Sequence, residues 1–263
     1  MNLHKLILTN NACYKAGKTI TPKRIMVHST GANNPNLKRY VGPDDGLLGK
    51  NQYNNHWNQN TPDGRQVCVH GFIGKLADGS IATYQTLPWN WRGWHCGSGA
   101  KGSGNDTHIS IEICEDNLSD AVYFNKVYNE AVELCVYLCK LYGLTEKNVI
   151  CHSEGYKLGI ASNHSDVMHW FPRFGKPMDT FRAEVWKLLK VPTPTPVTSS
   201  GFSVGEKVVL NGAVYADSFG GGKGRTYQKK ACTVTRIVDL KRKCPYLLDN
   251  GLGWVPKDSI RKA

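Results

Sequence analysis

Three places in the 263-residue chain bring together residue types that can do chemistry. His28 closes the apolar run Arg24-Ile25-Met26-Val27. Glu112 interrupts an otherwise apolar alternation, Ile109-Ser110-Ile111-Glu112-Ile113. His152, His164, Asp166 and His169 crowd into a span of 18 residues. Histidine and carboxylate are ligands of a catalytic zinc ion, which needs about three of them and an open position for water. Such an ion brings the pKa of its water to roughly 7 and polarises a carbonyl, and a neighbouring carboxylate then serves as general base. His28, His152 and Asp166 supply ligands from well-separated parts of the chain, and Glu112 supplies the base. Taken singly, each has an ordinary reading: a strand-end histidine is usually a partly buried imidazole, and a strand glutamate usually faces solvent. The three histidines and an aspartate between 152 and 169 are harder to explain that way. No HExxH motif is present, which argues against a thermolysin-like peptidase.

The elements that hold these residues are legible as an α/β pattern. Arg24 to His28 reads as a buried strand, and Val67 to Ile73 with Ile81 to Tyr84 as a hairpin turning at Asp78-Gly79. Ile109 to Ile113 alternates as a strand with one wet face. Asp120 to Tyr142 is a long helix, with Phe124, Val127, Ala131, Leu134, Cys135, Leu138 and Tyr142 on one face and Gly143 as its stop. Val149 to His152 reads as another strand ending on a histidine, and Thr180 to Lys190 as a short amphipathic helix. Strands separated by helices predict a central mixed β-sheet flanked by helices over residues 1–190.

Residues 191–200, VPTPTPVTSS, read as a semi-extended linker. Beyond it, residues 201–263 show short strands and no helical pattern: Glu206 to Leu210, Ala213 to Tyr215, Ala231 to Val238, Tyr246 to Leu248 and Gly253 to Pro256, with a flexible Gly220 to Gly224 stretch. That pattern predicts a small all-β barrel. The tail carries 12 Lys+Arg against 5 Asp+Glu, a net of +7 out of the chain's +12. A surplus of this kind suits polyanionic partners such as anionic wall polymers, membranes or nucleic acid. Nucleic acid ranks last, because the only basic run is Lys241-Arg242-Lys243 and no basic helix appears. No segment offers the roughly 20 apolar residues of a membrane span. The first residues are too short and polar for a signal peptide, so the expectation is synthesis in the cytoplasm and action after release. Nine cysteines with no CxxC pair are expected to be reduced thiols.

The order of MVHST, DGSIATYQ, GWHCG, HISIEI, the long helix, CHSEGY and NHSDVMHW resembles the type-2 N-acetylmuramoyl-L-alanine amidases over roughly residues 20–190. The resemblance implies a zinc enzyme that cuts peptidoglycan between N-acetylmuramic acid and L-alanine, as phage or prophage endolysins and autolysins do. It implies ligands at His28, His152 and Asp166 and a base at Glu112. His164 takes the place where the family often has a Lys or Thr that steadies the oxyanion, and His95 matches a histidine near the cleft. The chain departs from the family pattern in its longer gap from His152 to Asp166 and in having His164 rather than Lys. These departures leave open a register in which His164 or His169 ligates zinc and Asp166 orients it. Val69 stands where some phage-type members have a catalytic Tyr before the histidine matching His70, which leaves Glu112 as base. Trp89, Trp91 and Trp94 read either as core or as a cleft wall for sugar and peptide, with Trp94 taken as substrate-binding alongside His95. The tail resembles bacterial SH3-like wall-binding domains, implying substrate contacts by exposed rings at Tyr246 and Trp254. The alternative within this reading is a peptidoglycan-binding module on the same fold that has lost catalysis.

Overall fold

The strand holding Glu112 is flanked by strands on both sides, and its side chains divide between two interiors rather than between core and solvent. The computed structural model describes residues 1–190 and 201–263, except 239, 241 and 250; the expected linker and Lys241 lie outside the described residues. The chain divides into two compact units. In chain order the first contains β1 (Leu3–Lys5), α1 (Ala12–Ala16), β2 (Arg24–Ser29), β3 (Gly71–Lys75), β4 (Ile81–Gln85), β5 (His108–Ile113), α2 (Ala121–Tyr142), β6 (Val149–Cys151), α3 (His152–Lys157) and α4 (Met178–Lys190). The sheet order is β1-β4-β3-β5-β2-β6. β3 and β4 are antiparallel, whereas β5 runs parallel to both β3 and β2. The sheet is therefore mixed and flanked by helices.

Alternation sets the two faces. Ile25, Val27, Ile73, Ile109, Ile111 and Ile113 pack with Phe124, Val127, Ala131, Leu134, Cys135 and Leu138 of α2 and with Phe181 and Val185 of α4. The intervening residues Met26, His28, Ser110, Glu112 and Phe72 belong to the opposite face. The expected wet face of β5 is corrected here: His108 and Ser110 are buried, because long connecting segments cover that side of the sheet. α2 begins where Asp120 accepts hydrogen bonds from the backbone of Val122 and Tyr123, and ends at Gly143 with φ of +64°.

Other boundaries differ from expectation. Val67 to His70 does not extend the hairpin, because Cys68 pairs with Trp94 instead. β6 stops at Cys151, and His152 opens α3. β1 and α1 had no sequence signal strong enough to mark them.

The second unit contains β7 (Lys207–Tyr215), β8 (Lys223–Ile237), β9 (Tyr246–Leu248), β10 (Gly253–Val255) and β11 (Ile260–Lys262). The order β10-β9-β8-β7-β11, with a further β10–β7 pairing, closes a four-stranded antiparallel SH3-like barrel. The two expected first strands are one bent strand with register shifts near Leu210 and Ala213. The glycine stretch ends at Gly222, since β8 already starts at Lys223. The barrel interior holds Val208, Leu210, Val214, Cys232, Val234, Tyr246, Leu248, Val255 and Ile260. No helix among the described residues is long and apolar enough to cross a membrane, and all nine cysteines are free thiols.

Candidate functional site

His28 and Glu112 are register partners on β2 and β5, so the ladder carries both to the same edge of a cleft of about 620 Å³. The cleft is lined by His28, His95, Glu112, His152, His164, Asp166 and His169, with Trp94, Arg65 and Glu115 further along its walls. His152 enters from the start of α3, and Asp166 from the segment after it. Asp166 Oδ2 lies 3.0 Å from His28 Nδ1 and 3.6 Å from His152 Nδ1. The two imidazole Nδ1 atoms are 3.1 Å apart. Three ligand atoms thus converge within 4.8 Å of one another.

That donor set fits a zinc ion. Two nitrogens and a carboxylate oxygen from three segments come together at one point, which is the three-ligand set of a catalytic zinc site. Burial, together with the nearby histidines, lowers the His28 pKa, while Asp166 pulls against it. Although burial alone raises a carboxyl pKa, hydrogen bonds from His152 and His28 hold Asp166 well below the usual carboxylate range.

The outer nitrogens of His28 and His152 are also held. His95 Nδ1 lies 3.0 Å from His28 Nε2. Ser162 Oγ lies 3.5 Å from His152 Nε2 and donates to the Cys96 carbonyl at 3.2 Å. His95 itself is pressed well below the ordinary histidine pKa by burial and by its histidine neighbours. Outer contacts of this kind fix the tautomer and the ring plane of a ligand histidine. Sequence reasoning placed His95 near the cleft, but not against His28, and missed Ser162 altogether.

Glu112 Oε2 is shielded from solvent and has no hydrogen-bond partner among the described residues. Burial first, then the charges of Asp166 and Glu115, push its pKa well above the carboxylate norm. A carboxyl in that state holds its proton more readily than an ordinary carboxylate. His164 stands apart at the mouth, its side chain 61% exposed and its Nδ1 4.0 Å from Asp166 Oδ1. Its ring stacks on His152 with centroids 4.7 Å apart. His169 bonds Glu115 at 2.9 Å, while Asp166 lies against His28 and His152. The Glu115–His169 pair had no sequence signal beyond the acidic cluster after β5.

The tryptophans separate. Trp94 is 38% exposed and lines the cleft. Trp89 is buried and stacks on His70, and Trp91 stacks on Tyr14, so neither forms a cleft wall. Val69 is buried and lines the floor, while His70 is held by Ser110 and the Trp91 carbonyl. In the barrel, Tyr246 is 1% exposed and packs edge-on against Phe202, so the expected substrate contact through its ring is corrected: it fills the core. Trp254 is half-buried on the outside of β10.

A family profile described as N-acetylmuramoyl-L-alanine amidase matches residues 18–169. The N-acetylmuramoyl-L-alanine amidase CwlH of Bacillus subtilis (strain 168) is 38% identical over 109 residues, covering 38% of this chain and 42% of that protein. The N-acetylmuramoyl-L-alanine amidase XlyA of the same organism is 42% identical over 106 residues, covering 37% of this chain and 34% of that protein. The chain thus spans less than half the length of these curated relatives. The solution structure of the PlyG catalytic domain aligns with a TM-score of 0.50 and 24% identity, covering 74% of this chain and 99% of that one; that likeness is one of fold.

Proposed function

The chain belongs to the N-acetylmuramoyl-L-alanine amidase family, and from that membership we propose that it is a zinc-dependent peptidoglycan hydrolase cutting the amide bond between N-acetylmuramic acid and L-alanine. The observation that carries this reading is the convergence of His28, His152 and Asp166 ligand atoms in a cleft also lined by Glu112. These three residues would hold the ion. When bound, zinc polarises a carbonyl and acidifies water.

The chain's own groups do the rest. Glu112 takes a proton from the attacking water and returns it to the L-alanine nitrogen as the C–N bond breaks, leaving a lactyl carboxylate and a new amino terminus. Its raised pKa suits a group that works in both directions. His164, at the mouth beside Asp166, donates to the oxygen that gains charge as water adds. His95 and Ser162 hold the ligand rings. The exposed Trp94 ring gives sugar or peptide a surface to stack on. The barrel, residues 201–263, serves as a wall-binding unit tethered through residues 191–200, and the whole acts on the wall as a phage or prophage endolysin after release.

Mass spectrometry of digested peptidoglycan tests the bond: the expected products carry an intact N-acetylmuramic acid and a free L-alanine amine. Purified protein should contain close to one zinc per chain, and chelation should abolish cutting until zinc is returned. Cleavage at a glycosidic or interpeptide bond, or full activity in metal-free protein, overturns the proposal.

A further inference from the structure

On the outside of the barrel, Tyr215 and Trp254 face each other across the β7–β10 pairing. Their neighbours Val214 and Val255 point inward and are buried, so both rings project outward on one face. The segment after Tyr215 extends this face. Phe219 is 69% exposed, the most exposed ring of the unit. The Arg242 guanidinium lies 4.3 Å over the Phe219 ring centroid and donates to Ser218 Oγ at 2.6 Å. Lys243 Nζ sits 5.7 Å from the Tyr215 ring centroid. The Cys244 amide donates to the Ser218 carbonyl, tying the two segments together. Gly220, at φ of +87°, admits the Lys243 stem: a Cβ there would fall 2.6 Å from Lys243 Cδ.

Two cations are thus stationed against aromatic rings on the same exposed face. Neither Arg242 nor Lys243 forms an ion pair with a carboxylate among the described residues. Asp217, next to Ser218, has an oxygen occupied by the amides of Phe219 and Gly221. A planar guanidinium matches a phosphate with two parallel hydrogen bonds, and aromatic faces take up the apolar side of sugar or polyol units. The whole unit carries a net +7, which draws a polyanion toward the face.

We propose that the face formed by Tyr215, Phe219, Arg242, Lys243 and Trp254 binds the phosphodiester-linked anionic glycopolymer of Gram-positive walls. This rests on the reading of the barrel as a wall-binding unit and names its ligand. The polymer's phosphates seat on Arg242 and Lys243, while its polyol or sugar units lie across the rings.

The test is brief cosedimentation, on ice, of the full chain with two preparations of one Gram-positive wall: intact, and stripped of phosphodiester polymer with hydrofluoric acid. Soluble poly(glycerol phosphate) serves as competitor. The wild-type chain should bind intact walls at least about tenfold more tightly than stripped ones, and the competitor should release it. The double variant Arg242→Gln, Lys243→Gln should lose about tenfold on intact walls and nothing on stripped walls. Phe219→Ser should lose severalfold. The charge-conserving pair Arg242→Lys, Lys243→Arg should keep most of the affinity, which separates lost charge from lost fold. Equal binding of the wild type to both walls overturns the ligand assignment and leaves a wall-binding barrel that reads glycan or peptide. Wild-type affinity in the Gln variant moves the site elsewhere. No binding to either wall overturns the wall-binding reading itself.

Discussion

His95→Ala should weaken zinc binding rather than substrate binding. In metal-free protein His28 can carry its proton on Nδ1 and donate to Asp166, 3.0 Å away. Once Nδ1 is a ligand, the proton is confined to Nε2, where His95 Nδ1 accepts it at 3.0 Å. His28 is 1% exposed, so without His95 that N–H is orphaned only in the loaded state. An orphaned buried donor costs about 1–3 kcal/mol. At about 1.4 kcal/mol per tenfold, zinc affinity should fall about 5- to 150-fold, in line with the roughly 10- to 100-fold effect of removing a ligand's outer partner. Water filling the vacated space would bring the loss to the lower end. His95→Gln, whose amide oxygen can accept the same proton, should recover most of it. Competition with a chromophoric chelator measures the affinity, and the absorption bands of cobalt-substituted protein report the ligand geometry independently of turnover. An unchanged zinc affinity with a raised KM for a soluble muropeptide would refute this reasoning and put His95 on the substrate.

Three further outcomes follow from the same geometry. Glu112→Gln should keep its zinc and lose about two to four powers of ten in kcat; wild-type turnover would show that another carboxylate is the base. Asp166→Ala should weaken zinc binding, whereas His164→Ala should keep zinc and slow turnover by about a hundredfold or more, as loss of an oxyanion donor does; exchanged phenotypes would make His164 the ligand. The Glu115 hydrogen bond raises the His169 pKa despite partial burial. The stabilisation from that pair is therefore full below the ordinary histidine value and fades as pH rises through the raised one. The Tm deficit of His169→Gln should be larger at about pH 5.5 than at about pH 8.5; equal deficits would mean that the contact is uncharged.

The sheet was legible because its signals are local. The apolar alternation of Ile109 to Ile113 and the spacing on α2 follow from which face each residue must bury. The environment of Glu112 was not legible, since the segments that roof its face, around Tyr40, Trp57, Val67 and Trp94, have no periodicity. His28 could be placed at a strand end, but its contact with His95 joins positions 67 residues apart through loop geometry alone. Among His164, Asp166 and His169, nothing in composition says which side chain turns inward; the path of the chain after α3 decides it. Tyr246 illustrates the same limit in the barrel. Tyr-Leu-Leu reads equally well in either register, and the strand buries Tyr246 and Leu248 while Leu247 lies only partly covered.

The pairing of His28 with Glu112 across β2 and β5 has a consequence for how such a chain can vary through descent. Neighbouring strands stand about 4.8 Å apart whatever side chains they carry. The interval between these two positions is therefore inherited with the backbone ladder and is indifferent to the length of the chain between Ser29 and His108. Insertions and deletions there, or between His152 and Asp166, can remodel the roof and mouth of the cleft while leaving that interval untouched. A single-residue slip inside either strand would instead turn Glu112 or His28 toward α2, so the two strands are where length change should be least tolerated.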